Sequence, residues 1–280
     1  MQLFQNRIVH AREKARHLHH RFGVESPAHV DVYGFAERLG VQVVESQLGT
    51  ALAQLIKNRR RTRVLVSDRI TDPALRRVAV AHELGHLLCG HSTPPIDEMV
   101  GGASREHAAL SVCNARQSRE HEHEANSFAL ELLTPARTVD GYRERVPDLA
   151  LCSELATMAW VPIDYAAVRI AETSERMCAV VLSDRSGSQW VARSRAFSVA
   201  FGDQHRAKEG PKLDARTLAA RILDRGSPCE PADVPAAAWL GERGLALRES
   251  STPIGPRVLT ILWAGALETA LGCPPSTRIH

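Results

Sequence analysis

His82-Glu83-Leu84-Gly85-His86 sets two imidazoles four residues apart, with an acid directly after the first. On a helix, residues i and i+4 lie about 40° apart around the axis and one turn along it, so both rings point the same way. Both can then reach one zinc ion with Zn–N bonds of about 2.0–2.1 Å. Glu83 is rotated about 100° from His82. It is therefore no third ligand; it sits beside the open position, where a carboxylate can accept a proton from water. Gly85 permits close approach by another backbone. Ala79, Val80, Ala81, Leu84, Leu87 and Leu88 would bury most of such a helix, and histidines embedded in it need a partner. The chemistry these residues suit is metal-assisted hydrolysis.

A catalytic zinc needs a third protein ligand and one open site. The metzincin spacing fails, because Cys89 stands at its glycine position and Ser92 at its third histidine. The inverted H-x-x-E-H fails too, because Gln117 occupies its first position before Glu120-His121. What remains is the run Glu120-His121-Glu122-His123-Glu124-Ala125-Asn126. Glu122, Ala125, Ala129 and Leu132/Leu133 fall on one helical stripe, and the small Ala125 lets that stripe approach the histidine helix. Asn126, one turn beyond Glu122, can accept the spare N–H of a ligand histidine. Glu124 is the alternative ligand but points elsewhere on the wheel. His121 and His123 are further candidates, read more simply as solvated or substrate-facing. The bland account of the run is a solvated helix start, where acids favour the positive dipole end.

The elements that must position these groups are punctuated clearly. Asp72-Pro73 starts the histidine helix and Gly90 stops it after Cys89. Residues 92–117, with Pro94-Pro95 and Gly101-Gly102, read as a long loop with a short helix near 106–112. The acidic run opens a helix over 118–133 that ends at Thr134-Pro135. Upstream lie a helix over 6–21, with Ile8, Ala11, Ala15 and Leu18 at helical spacing, and a second helix from Asp31 to Leu39 that Gly40 stops. Short strands follow at 41–45, 51–56 and 64–67, with the basic run 57–63 as a solvated hairpin tip or, on a sharper reading, an electrostatic patch for an acidic partner or nucleic acid. Downstream, 151–160 and 163–172 flank Val161-Pro162 as a helix-turn-helix. From 177 the period changes to strands at 178–183 and 189–195, a helix over 213–223, and strands at 245–249 and 257–263. The fold class is α+β.

Composition sets outer bounds. The chain has 280 residues, 44% hydrophobic and 24% charged, with net charge +3, so it is globular and no polyelectrolyte. Its 13 histidines are in excess, and only His82 and His86 share a ligand spacing with an acid. Six dispersed cysteines form no C-x-x-C pair and read as buried thiols in a reducing compartment. Among them Cys89, one turn past His86, reads as a core thiol, with a redox switch as the lesser reading. The first 21 residues carry charge throughout and lack the apolar segment of a signal peptide. The apolar run at 258–267 is about half a membrane span. The expected setting is cytoplasmic, with no membrane partner. The helix-turn-helix holds one basic residue, Arg169, between Leu151 and Ile170, opposed by Glu154 and Asp164. That is too little to bind phosphates, so we read it as a packing or substrate-docking element and not a direct DNA contact.

The stretches 78–88 and 122–135, Val-Ala-Val-Ala-His-Glu-Leu-Gly-His-Leu-Leu and Glu-His-Glu-Ala-Asn-Ser-Phe-Ala-Leu-Glu-Leu-Leu-Thr-Pro, together resemble the ImmA/IrrE family of zinc peptidases. The resemblance covers residues 6–173. It implies a thermolysin-like minimal zincin domain over 1–148; the helix-turn-helix segment over 149–176 and the C-terminal α+β domain over 177–280 are read from the residues themselves. In some members that last domain is a GAF-type sensor. Carried over by residue, His82, His86 and Glu122 would hold Zn2+ and Glu83 would be the general base. The best-known members cleave a helix-turn-helix repressor in stress responses or mobile elements, so a protein substrate of that kind is implied. Thr134 stands where a methionine is common. Two rival readings are a regulator that binds without turnover and a general housekeeping peptidase.

Overall fold

The computed structural model describes residues 2–57, 61–91, 119–202, 213–241 and 246–264. Its order is α1 (Gln2–Phe22), α2 (Val32–Arg38), β1 (Val41–Ser46), β2 (Ala53–Lys57), β3 (Thr62–Ser67), α3 (Pro73–Cys89), α4 (Arg119–Leu133), α5 (Leu149–Ala159) and α6 (Ile163–Thr173). Then come β4 (Cys178–Asp184), β5 (Gly187–Arg193), α7 (Arg195–Phe201), α8 (Leu218–Arg225), β6 (Ala232–Pro235), α9 (Ala237–Leu240), β7 (Ala246–Ile254) and β8 (Arg257–Trp263). The architecture is α+β. It divides into two compact units, Met1–Thr138 with Leu155–Tyr165, and Val139–Glu154 with Ala166–His280, so the division runs through α5 and α6. No described helix is long and apolar enough to cross a membrane.

In the first unit, local signals place each element. Asp31 caps α2 by accepting from the Gly34 N–H, and Gly40 leaves the helix at φ +71°. The small sheet runs β1-β3-β2, with β1 parallel and β2 antiparallel to β3. Alternation puts Val64 and Val66 of β3 inside, with Ala53 and Leu55 of β2 beside them. Helix α1 buries Ala11, Ala15 and Leu18 on one stripe, and packs along α4. There His19 Nε2 meets the Leu132 carbonyl at 2.8 Å. Helix α3 lies among α1, α2, α4, β2 and β3 and is buried from Arg77 through His86, which is why its alanines, valines and leucines fall on every face. The expected loop and short helix between 92 and 117 lie outside the described residues.

Trp160 joins α5 to α6 at φ +51°, an uncommon conformation for a bulky residue, with the Arg77 guanidinium 4.9 Å from its ring centre. Arg169 is 1% exposed and pairs with Glu172 at 3.7 Å, so the one basic side chain of the helix pair faces inward.

The second unit holds an antiparallel sheet of order β5-β4-β8-β7-β6. Four expectations change here, the first being that the strand expected at 245–249 runs on to Ile254 as β7. The strand expected through 195 stops at Arg193, because Ser194 accepts from the Phe197 N–H and opens α7. The helix expected from 213 starts at Leu218, where Thr217 accepts from the Ala220 N–H. Strand β6 and helix α9 are four residues each and carry no periodic signal. Glu249 on β7, fully buried, ties these pieces together. It accepts from the Ala219 N–H at 2.8 Å, the Trp239 indole at 2.9 Å and the Ser251 hydroxyl at 2.9 Å. Glu249→Gln turns an amide N–H2 toward donors and removes the charge, and should cost about 1–3 kcal/mol. Urea denaturation of the second unit should show it as a lowered midpoint with unchanged slope.

Candidate metal centre

Helix α3 forms where its punctuation says it must. The Asp72 carboxylate accepts from the Ala74 N–H at 2.9 Å, and Pro73 takes the first turn. At the other end Gly90 adopts φ +76°, its N–H bonding the Leu87 carbonyl, while the His91 N–H bonds the His86 carbonyl. This pair of bonds is a Schellman stop. Between these ends His82, Glu83 and His86 are each 2% exposed or less.

Helix α4 crosses α3 at Gly85. A Cβ there would lie 2.9 Å from the Ala125 Cα and 3.0 Å from the Ala125 carbonyl oxygen, so only glycine admits this approach. The contact delivers the residues on either side of Ala125. The Glu122 carboxylate comes within 3.4 Å of His82 Nε2 and 3.6 Å of His86 Nε2. The Asn126 Oδ1 lies 2.8 Å from His82 Nδ1. The two Nε2 atoms are 2.9 Å apart. The stripe of Ala125, Ala129, Leu132 and Leu133 is fully packed, as the spacing requires.

The electrostatics show what this geometry wants. Burial pulls the His82 pKa down, but the Glu122 carboxylate, Glu83 and Asn126 together hold it above the ordinary value. Burial first, then His82, His91 and His121, drives His86 down to about 2. One ring is held toward protonation while its partner is stripped. Glu122 Oε1 is buried and has no hydrogen-bond partner. Two imidazole nitrogens and a carboxylate oxygen thus converge on one point. Their donor atoms lie within 4.8 Å of one another. A neutral-nitrogen, carboxylate donor set of this kind suits zinc.

The structure therefore brings His82, His86, Glu122 and Asn126 together and buries Glu83 beside them. Glu124 faces away from that point: one oxygen meets Arg7 Nη1 and the other His91 Nε2, both at 3.2 Å. One residue had no role from the sequence. His91 sets its Nδ1 2.9 Å from His86 Nδ1 and stacks on His121 with ring centres 4.1 Å apart. Cys89, His91 and Glu124 also have donor atoms within 4.8 Å of one another. Burial pushes the Cys89 thiol up to about 11, so it is no ready thiolate at neutral pH.

Residues 36–170 match the family profile of the IrrE N-terminal-like domain, a peptidase family. No curated protein matches the sequence. Among solved structures, a Mycobacterium tuberculosis transcriptional regulator is similar in fold, with a TM-score of 0.55 and 11% sequence identity. The match covers 96% of this chain and 93% of that one.

Proposed function

From the premise that this chain carries a peptidase domain of the ImmA/IrrE family, we propose that it is a zinc-dependent endopeptidase whose substrate is a helix-turn-helix transcriptional repressor. The observation that carries the reading is the convergence of His82 Nε2, His86 Nε2 and the buried Glu122 Oε1, which takes no hydrogen bond, on one point. His82, His86 and Glu122 would hold the ion. Bound there, zinc would lower the pKa of a water and polarise the scissile carbonyl. Glu83, one residue from His82 and buried with it, accepts the proton of the attacking water and returns it to the leaving nitrogen. Asn126 accepts from His82 Nδ1–H, which keeps Nε2 bare for the ion.

Specificity comes from docking of a folded substrate over the surface of the peptidase module, residues 1–148. Arg169 being buried supports a packing or docking role for residues 149–176 and not a DNA contact. Residues 177–280 form the accessory or sensor module. A cavity of about 520 Å³ there, bordered by Arg185, Leu223, Pro253 and Arg257, offers room for a small regulator. The cell compartment that suits this role is the cytoplasm.

The purified protein should bind one equivalent of zinc by elemental analysis. Incubated with the helix-turn-helix repressor encoded beside its gene, it should yield two discrete fragments by mass spectrometry and leave casein intact. Chelation should stop the cleavage and added zinc restore it. Equal hydrolysis of casein would select the housekeeping reading instead.

A further inference from the structure

We infer that His91 and Glu124 are a positioning pair that fixes the tautomer and orientation of His86, in the way that Asn126 fixes His82; this rests on His86 being a metal ligand. An ionised Glu124 can only accept, so the 3.2 Å contact requires His91 Nε2 to carry the hydrogen. In the neutral tautomer that this contact selects, His91 Nδ1 is bare and can accept. The 2.9 Å contact between the two Nδ1 atoms then requires His86 to donate. With its hydrogen on Nδ1, neutral His86 presents a bare Nε2 beside His82 and Glu122. A His86 bound through Nε2 must carry its hydrogen on Nδ1, so the two contacts and the ligand role ask for the same tautomer.

The backbone builds this arrangement. A Schellman stop brings the second residue after the helix back over the last turn, usually for a hydrophobic contact with a residue five positions earlier. Here those two positions are His91 and His86, and the left-handed Gly90 makes the reversal. The same stop that ends α3 therefore places a hydrogen-bond acceptor behind one ligand. His121 stacks on the His91 ring, and Arg7 holds the second oxygen of Glu124, so neither partner is loose. The cluster of Cys89, His91 and Glu124 is consequently a poor second metal site: the His91 nitrogens are both engaged in the chain.

Groups supporting a ligand histidine from behind are worth about 10–100-fold in metal affinity. Zinc affinity, read by competition with a chromophoric chelator, is the test. His91→Phe keeps a ring against His121 but offers no acceptor, and should weaken zinc binding about 10–100-fold. His91→Asn places an amide oxygen where Nδ1 was and should recover most of the affinity. Glu124→Gln, which keeps an acceptor but loses its charge, should fall between. The apo forms should melt within a few degrees of the apo parent. If His91→Phe fails to fold, the Asn and Gln variants still decide, since loss with Glu124→Gln and retention with His91→Asn is the required order. His91→Phe binding zinc like the parent, or His91→Asn losing as much as His91→Phe, would overturn the inference. So would a second zinc equivalent that disappears in Cys89→Ser, because His91 Nε2 would then be a ligand and no donor. A parent that binds zinc with this pattern but cuts no substrate would instead refute the peptidase reading and leave the pair standing.

Discussion

Glu83→Gln should bind zinc nearly as well as the parent protein and cleave its substrate about 10²–10⁴-fold more slowly, the usual contribution of a positioned general base. The amide is nearly the size of the carboxylate, and the site is closed at 2% exposure, so packing around it should not change. The carboxylate does act on the ligands: its charge is among the causes that raise the proton affinity of His82. Removing it weakens attraction for the proton and for the cation together, so the net change in zinc affinity is a few-fold in either direction. Cleavage is different in kind. Only an ionised acid can take a proton from water, and among the described residues the neighbouring carboxylates are turned elsewhere: Glu122 faces the ion point and Glu124 faces His91 and Arg7. The measurement is single-turnover cleavage at matched zinc loading, with Tm as the folding check. Full biological activity from Glu83→Gln would show that the domain acts by binding.

The same residues show why parts of this fold are legible from the chain and parts are not. Helix α3 is readable to the residue because a cap, a proline and a glycine each have one physical job. Helix α4 is readable as a face, because Glu122, Ala125, Ala129 and Leu132 share a stripe that must be packed. His91 escaped because a helical wheel ends at Gly90, and its contact with His86 arises from the backbone reversal beyond that point. The signal was nevertheless present, in a glycine stop followed at once by a histidine five residues after another. In the second unit the determinants are non-local. Ala219, Trp239 and Ser251 all donate to Glu249, and no periodicity announces a carboxylate that gathers donors from three elements. The late start of α8 and the existence of α7 each turn on one hydroxyl cap, Thr217 and Ser194, which an apolar run on either side conceals.

Gly85→Ala should be the most damaging single methyl in the first unit. Two effects oppose each other. In a buried helix interior, alanine is favoured over glycine by about 1 kcal/mol of backbone propensity. Against this, the new Cβ would meet the Ala125 Cα at 2.9 Å and its carbonyl oxygen at 3.0 Å, and the Phe128 ring at 3.2 Å. The ring can turn aside; the backbone of α4 cannot, except by moving the whole helix. Overpacking of this kind costs about 1–3 kcal/mol, so the clash wins. Displacing α4 also carries Glu122 and Asn126 away from His82 and His86, because all four are held together across this one contact. Zinc affinity should therefore fall by about 10–100-fold, as when a supporting shell is lost, and cleavage should fall with it. Adding Ala125→Gly should give no rescue, since the obstruction is main chain and not the Ala125 methyl. Gly49→Ala, where a Cβ meets nothing within 4 Å, is the matched control and should leave zinc binding unchanged. Thermal melting with and without zinc separates the two consequences: the apo midpoint reports the clash, and the zinc-induced rise reports the displaced ligands. An apo protein stabilised by Gly85→Ala, with zinc affinity intact, would mean that α4 is not held against α3 at this point and that Glu122 reaches the histidines by some other route.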